Sequence, residues 1–236
     1  MFRNICRCGT GVLILAAGLG ILQTSCAAAE LLVGAATTSI TPDKPIALWG
    51  QMHTRISTSV ESPVTATVLV LESMEGSKPV EQAVMVACDL VAIPEQTLAR
   101  TRQQVLKRLP DFPVQKIVMS GTHTHTGPVL VEGLYDIPKE GVMQPTEYVE
   151  FFAERVADAI VKAWNSRGPG KVSWGLGHAV VAQNRRTVYT DGTAAMYGST
   201  NRPDFNMIEG YEDHGVECLF FWNAVGKLIA TTLNLA

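Results

Sequence analysis

The chain has 236 residues, of which 47% are apolar and 17% charged, enough to bury a substantial core within one domain or a large part of one. The formal net charge is −3 with no basic stripe, which argues against a nucleic-acid partner. Nothing in the composition matches disorder, collagen or a coiled coil.

Residues 1–29 read as a secretory signal peptide and are set apart from the fold. Arg3 and Arg7 form a positive start, Val12 to Leu22 a short apolar stretch, and Ala27-Ala28-Ala29 a small-residue cleavage site before Glu30. The apolar stretch falls short of the ~20 residues that span a bilayer, which disfavours an uncleaved anchor. Cys26 raises a lipoprotein reading, but Gln23 stands where such a cleavage box prefers an aliphatic residue. The expected location is therefore outside the cytoplasm, periplasmic or secreted. Removing Arg3 and Arg7 leaves 17 basic against 22 acidic side chains, a net charge of about −5. It also leaves two cysteines, Cys88 and Cys218, in apolar strand-like runs, either as free thiols or as one disulfide.

Residues 30–236 read as mixed α/β, with buried strands and flanking helices. Val33 to Ile40 forms a strand running into the turn Thr41-Pro42-Asp43. Ala66 to Glu72 and Ala83 to Asp89 form a hairpin around Glu75 to Pro79, and their nearly continuous apolar runs predict strands covered on both faces. Pro94 opens a helix carried by Leu98, Val105, Leu106 and Leu109, and Pro110 closes it. Lys116 to Ser120 predicts a short buried strand. A second helix starts near Pro145, with Thr146 as N-cap, and runs through Phe152, Val156 and Ile160 to the breaker Gly168-Pro169-Gly170. Val172 to His178 predicts a strand, and Glu217 to Trp222 and Lys227 to Leu235 predict a final pair. The last strand stops at Leu233-Asn234-Leu235-Ala236 without a polar ending, which predicts a fold incomplete at the carboxyl end.

The chemistry concentrates in Ser120-Gly121-Thr122-His123-Thr124-His125-Thr126-Gly127-Pro128. Two histidines one residue apart share a face if the backbone stays extended after the strand. Such a pair can ligate one metal, divide ligation and acid–base duty, or simply pack as ordinary surface. Gly121 and Gly127 permit a tight turn, and the threonines are candidates to orient the rings.

This run resembles the His-x-His-Ser/Thr-Gly-Pro signature of the neutral, non-lysosomal ceramidases. The resemblance extends to Val33-Gly34-Ala35-Ala36, Thr38-Ser39-Ile40-Thr41-Pro42, Val86-Ala87-Cys88-Asp89-Leu90, Asn184-Arg185, and the strand after Gly226-Lys227. It departs at Arg186, where the family often carries serine. Residues 30–236 are thereby similar to the amino-terminal part of a ceramidase catalytic domain. The resemblance implies zinc (Zn2+), with His123 as a ligand, His125 at the reacting centre and Arg185 holding a polar group of the substrate. It implies hydrolysis of an N-acyl lipid amide to a fatty acid and a sphingoid base, with the remaining ligands and a serine beyond Ala236. A lipid or N-acyl amide is the expected partner, and contact with a membrane surface stays open. Another amide or ester substrate on the same scaffold, or a non-catalytic exported binding domain, are the alternatives.

Five further residues have weaker claims. His53, in a segment resembling a family loop at the site's mouth, and His178, after Gly175-Leu176-Gly177, also read as ordinary surface residues. His214 among Glu212 and Asp213 reads as turn chemistry, and Asp191-Gly192 as a hairpin turn. Asp89 either orients a ligand or caps the helix near Pro94.

Overall fold

The computed structural model describes residues 30–235, so the signal-peptide reading lies outside the described residues. The elements run β1 (Glu30–Ser39), β2 (Thr65–Glu75), β3 (Lys78–Cys88), α1 (Glu95–Arg108), a 3-10 turn (Val114–Lys116), β4 (Ile117–Gly121), α2 (Pro145–Asn165), β5 (Gly168–His178), β6 (Arg186–Tyr189), β7 (Ala194–Met196), β8 (Phe205–Ile208), β9 (Gly215–Asn223) and β10 (Leu228–Leu235). Seven strands form one sheet in the order β10-β9-β5-β1-β2-β3-β4, and β7-β6-β8 form a small separate one. The architecture is mixed α/β, as the pattern predicts.

All pairings in the large sheet are antiparallel except β3 with β4, which run parallel with Val84 opposite Ile117 and Cys88 opposite Gly121. A parallel pair needs a crossover, and α1 supplies it. The carboxyl ends of β3 and β4 therefore lie side by side, which positions the site described below.

Period-two alternation divides the sheet residues between two faces. Ala36, Ala66, Val68, Val70, Val84, Val86 and Cys88 turn towards α1 and α2 and pack with Val105, Phe152, Val156 and Ile160. Tyr148 is fully buried there, and its hydroxyl donates to the Ile40 carbonyl at 2.8 Å. Burial of each such large side chain contributes about 1.5–3 kcal/mol. Among the described residues the opposite face has only a small cluster around Val33, Leu69 and Phe221.

The expectation of strands covered on both faces therefore fails beyond that cluster. Met85 and Val118, register partners on β3 and β4, are 41% and 61% exposed. The β-branched runs were a fair sign of one buried face, but both described helices serve the same side. β4 is likewise an edge strand with only Ile117 buried. α1 turns Thr97, Thr101, Gln104 and Val105 inward against α2 and leaves Leu106 out, because the helix–helix contact follows the small and polar stripe at i, i+4. Pro94 is the N-cap of α1 and lies just outside it, and Gln144 is the N-cap of α2 with Pro145 first in the helix. Thr146 thus sits inside the first turn; proline takes the first position because it lacks an N–H that would have no partner there. No helix among the described residues is long and apolar enough to cross a membrane.

Cys88 and Cys218 are both free thiols. They lie on β3 and β9, four strand steps apart, or about 19 Å at the usual spacing, well beyond disulfide reach. Burial pushes the Cys88 thiol up to about 12, with the neighbouring Asp89 charge acting in the same direction.

Candidate active site

The site forms where the loops after β3 and β4 meet. The β4 strand ends at Gly121, and the chain then turns back over the residues following β3. Thr122 N–H donates to the Cys88 carbonyl at 2.8 Å and His123 N–H to the Leu90 carbonyl at 3.0 Å. The turn brings backbone against backbone: a Cβ on Gly121 would sit 2.6 Å from the Leu90 oxygen, and one on Gly127 2.7 Å from the Asp89 oxygen. Close approach, not a left-handed φ, is what both glycines supply.

His123 has φ +63°, so the backbone is not extended across the pair, and the shared face expected from alternation is reached another way. The left-handed residue swings the two rings together, edge to face, with centroids 4.9 Å apart. A non-glycine residue in that region carries about 1–3 kcal/mol of strain, which persists only where surrounding contacts fix it. One such contact is clear. His123 Nδ1 lies 2.9 Å from the Val91 carbonyl, which can only accept, so Nδ1 carries a proton, and in the neutral ring Nε2 presents its lone pair.

A hairpin-like loop from Ala47 to Ile56 leans on the other histidine. Trp49 N–H donates to the Gly127 carbonyl at 3.0 Å, and Leu48 bridges Pro128. Gly50, at φ +101°, lies so near the His125 ring that an added Cβ would stand 2.4 Å from its Cγ. The Tyr135 hydroxyl pins this loop, accepting from the Gly50 and Gln51 N–H groups at 3.2 Å and donating to the Gln51 carbonyl at 2.7 Å. Arg55 Nη2 donates to the His125 carbonyl at 2.5 Å.

Asp89 caps no helix, since α1 has no side-chain cap, and no hydrogen bond among the described residues joins it to either imidazole. Its Oδ2 accepts from Thr65 N–H and Oγ1 at 2.9 and 2.8 Å, and its Oδ1 from Thr122 Oγ1 at 3.3 Å. It ties the start of β2 to the histidine loop. The Thr124 and Thr126 hydroxyls bond each other at 2.9 Å rather than the rings.

Arg185 lies apart. Its guanidinium stacks over Tyr197 at 4.8 Å beside the small sheet, and no hydrogen bond or ring contact among the described residues joins it to either histidine. Asn184 fastens the same segment, donating through Nδ2 to the Glu209 and Tyr211 carbonyls. His53 and His178 are exposed, and His214 lies 3.7 Å from Glu212. Asp191 closes the β6–β7 hairpin as the sequence suggests, accepting from Thr193 N–H and Oγ1; these bonds hold its carboxyl below the usual range.

The donor set can be tested against zinc. An imidazole with Nδ1–H on a carbonyl and Nε2 open is the form in which histidine ligates that metal. His123 fits one ligand position. No group of three or more His, Cys, Asp or Glu side chains able to hold a metal occurs among the described residues. The described residues thus fit part of a zinc site.

Comparison with solved structures connects this geometry to a known architecture. The chain matches the crystal structure of neutral ceramidase from Pseudomonas aeruginosa at a TM-score of 0.65, over 87% of its own length. The fold is similar to neutral ceramidase. Sequence identity in that match is 18%, and the chain spans 31% of the ceramidase's length. A ceramidase complexed with C2 matches at a TM-score of 0.62 and 15% identity, with the same coverage of both chains. No protein-family model and no curated protein sequence matches the chain. The neutral ceramidase likeness therefore stands on the three-dimensional arrangement of strands and helices.

Sequence reasoning found the two histidines but missed Val91, Gly50, Tyr135 and Arg55. Val91 acts through its carbonyl, for which no side chain gives a signal. Gly50 and Arg55 flank His53 in the segment that the resemblance sets at the site's mouth, but nothing in the sequence marks their contacts with His125.

Proposed function

We propose that the chain carries part of the active site of an exported zinc-dependent hydrolase that cleaves the amide of an N-acyl lipid such as ceramide, giving a fatty acid and a sphingoid base. The observation that carries the reading is the His123 ring, its Nδ1–H donated to the Val91 carbonyl and Nε2 open, with His125 edge-on beside it in a neutral-ceramidase-like fold.

In this reading His123 would hold the metal through Nε2, with the remaining donors outside the described residues. Zinc held there would lower the pKa of a water and polarise a carbonyl. His125 contacts the reacting carbonyl as it becomes tetrahedral. Gly50 and Arg55 fix its ring and its backbone, so it needs no reorganisation at that moment. Arg185, whose guanidinium offers several donors in a fixed plane, holds a polar group of the substrate. Asp89 keeps the loop registered against β2.

The test uses the full-length protein. Metal analysis is expected to find zinc in the parent and to find it lost in His123→Ala, while His125→Ala keeps the metal and loses release of fatty acid from ceramide. Equal zinc in parent and His123→Ala would remove His123 from the site. Hydrolysis of simple N-acyl amides with no action on ceramide would keep the metal chemistry and move the substrate class.

A further inference from the structure

The loop that leans on His125 also walls a cleft of about 840 Å³ lined by Arg55, Ser57, Asp89, Thr124, Thr126 and Lys44, among others. Arg55 is the unusual member. Its guanidinium makes one hydrogen bond, through Nη2 to the His125 carbonyl. Its Nε is buried without any partner, and no carboxylate among the described residues lies within ion-pair distance of it. Of the other charges in the lining, Asp89 is bonded to Thr65 and Thr122, Lys44 pairs with Glu147 at 2.7 Å and has Asp43 beside it, and Asp43 and Glu61 are themselves exposed to solvent.

A half-buried guanidinium without a counter-ion is costly, and a buried N–H without an acceptor costs a further 1–3 kcal/mol or so. In the wall of a cleft, a guanidinium left short of acceptors is a group that a bound oxygen ligand can complete. Arg presents a planar fork of donors suited to two oxygens of one carboxylate. The Thr124 and Thr126 hydroxyls, which now bond each other, stand in the same lining and can turn to a ligand oxygen.

We infer that the Arg55 cleft is a carboxylate subsite adjoining the His125 loop. This inference rests on the proposed amide hydrolysis only for its biological sense. A carboxylate can reach the cleft from two sources: the fatty acid released on hydrolysis, or an acidic amine half of the substrate, as in an N-acyl amino acid. Either makes Arg55 a specificity-determining residue in addition to its hold on the His125 backbone.

The experiment is calorimetric titration of the full-length protein with octanoate, N-octanoylglycine and the neutral isostere octanamide, in parent, Arg55→Gln and Arg55→Lys. At least one carboxylate is expected to bind tenfold or more tighter than octanamide, to lose that margin in Arg55→Gln, and to keep part of it in Arg55→Lys. Raising salt from 50 to 500 mM should weaken the carboxylate and leave octanamide unchanged. Tighter octanoate assigns the acid half of the substrate, and tighter N-octanoylglycine the amine half. Octanamide binding as well as both acids in the parent, or an undiminished margin in folded Arg55→Gln, overturns the subsite. Because binding is read without turnover, failure of ceramide hydrolysis leaves this result intact, and the reverse holds too. Arg55→Lys preserves the charge, so a folding defect in Arg55→Gln does not leave the question open.

Discussion

An alanine at position 50 would place its Cβ 2.4 Å from Cγ and 2.7 Å from Nδ1 of His125, on a backbone with φ +101°. Ordinary contact begins near 3.4 Å, so the ring or the loop must retreat by about 1 Å. Two costs follow, and they are separable. The backbone cost is about 1–3 kcal/mol, which in a chain of this size lowers Tm by roughly 2–12 °C. The displacement cost appears in chemistry, where 1 Å of misplacement is worth about 100-fold in rate. Gly76 is the matched control: φ is +60° and an added Cβ meets nothing within 4 Å. Gly76→Ala should lower Tm with kcat/KM unchanged, whereas Gly50→Ala should lower Tm and cut amide hydrolysis about 100-fold. His125 ring resonances in the 1H–13C spectrum should move in Gly50→Ala and stay in Gly76→Ala, a readout independent of any substrate. If Gly50→Ala matches Gly76→Ala in both rate and ring resonances, the loop does not hold His125 and the reasoning fails.

Asp89→Ala removes the acceptor of three hydrogen bonds and leaves the Thr65 N–H without a partner, so the urea midpoint should fall by the equivalent of about 1–3 kcal/mol; an unchanged midpoint would remove its clasp role. Arg167 pairs with Glu72, which is 3% exposed, at 2.5 Å. Arg167→Met should therefore cost about 3–5 kcal/mol, much of it recovered by adding Glu72→Gln, and the double mutant melting no higher than the single would count against an uncompensated charge as the cause. With its thiol pushed up to about 12, Cys88 stays protonated at pH 8. Peptide mapping after native alkylation at that pH should leave Cys88 unlabelled and find label on half-buried Cys218; rapid labelling of Cys88 would show that its burial is wrong.

What the sequence made legible follows from where the physics is local. Alternation and turn residues placed β1, β2, β3, β5, β9 and β10, because Thr41-Pro42-Asp43, Glu75 to Pro79 and Asn223 to Gly226 dictate chain reversal within a few residues. The histidine motif was legible because imidazoles carry chemistry that few other side chains share. The coverage of the sheet was not, since a run such as Val84-Met85-Val86 reads the same whether one face or both are packed. Nor was the geometry of His123. A left-handed histidine is fixed by Leu90 and Val91 carbonyls some thirty residues earlier, and those contacts exist only once α1 has returned the chain to lie beside β3.

That return has a consequence for how this scaffold can change. The histidine turn and the segment it grips both project from one end of a parallel pair whose backbone ladder, Val84 with Ile117 through Cys88 with Gly121, involves none of the reacting groups. Within residues 89–92 and 122–128, positions other than Asp89, Leu90 and Gly127, which anchor the turn to β2 and the core, can therefore exchange side chains with no slip of strand register. Chemistry and framework are inherited as separable parts. A chain 18% identical to a neutral ceramidase can share its fold while its two loops carry their own chemistry.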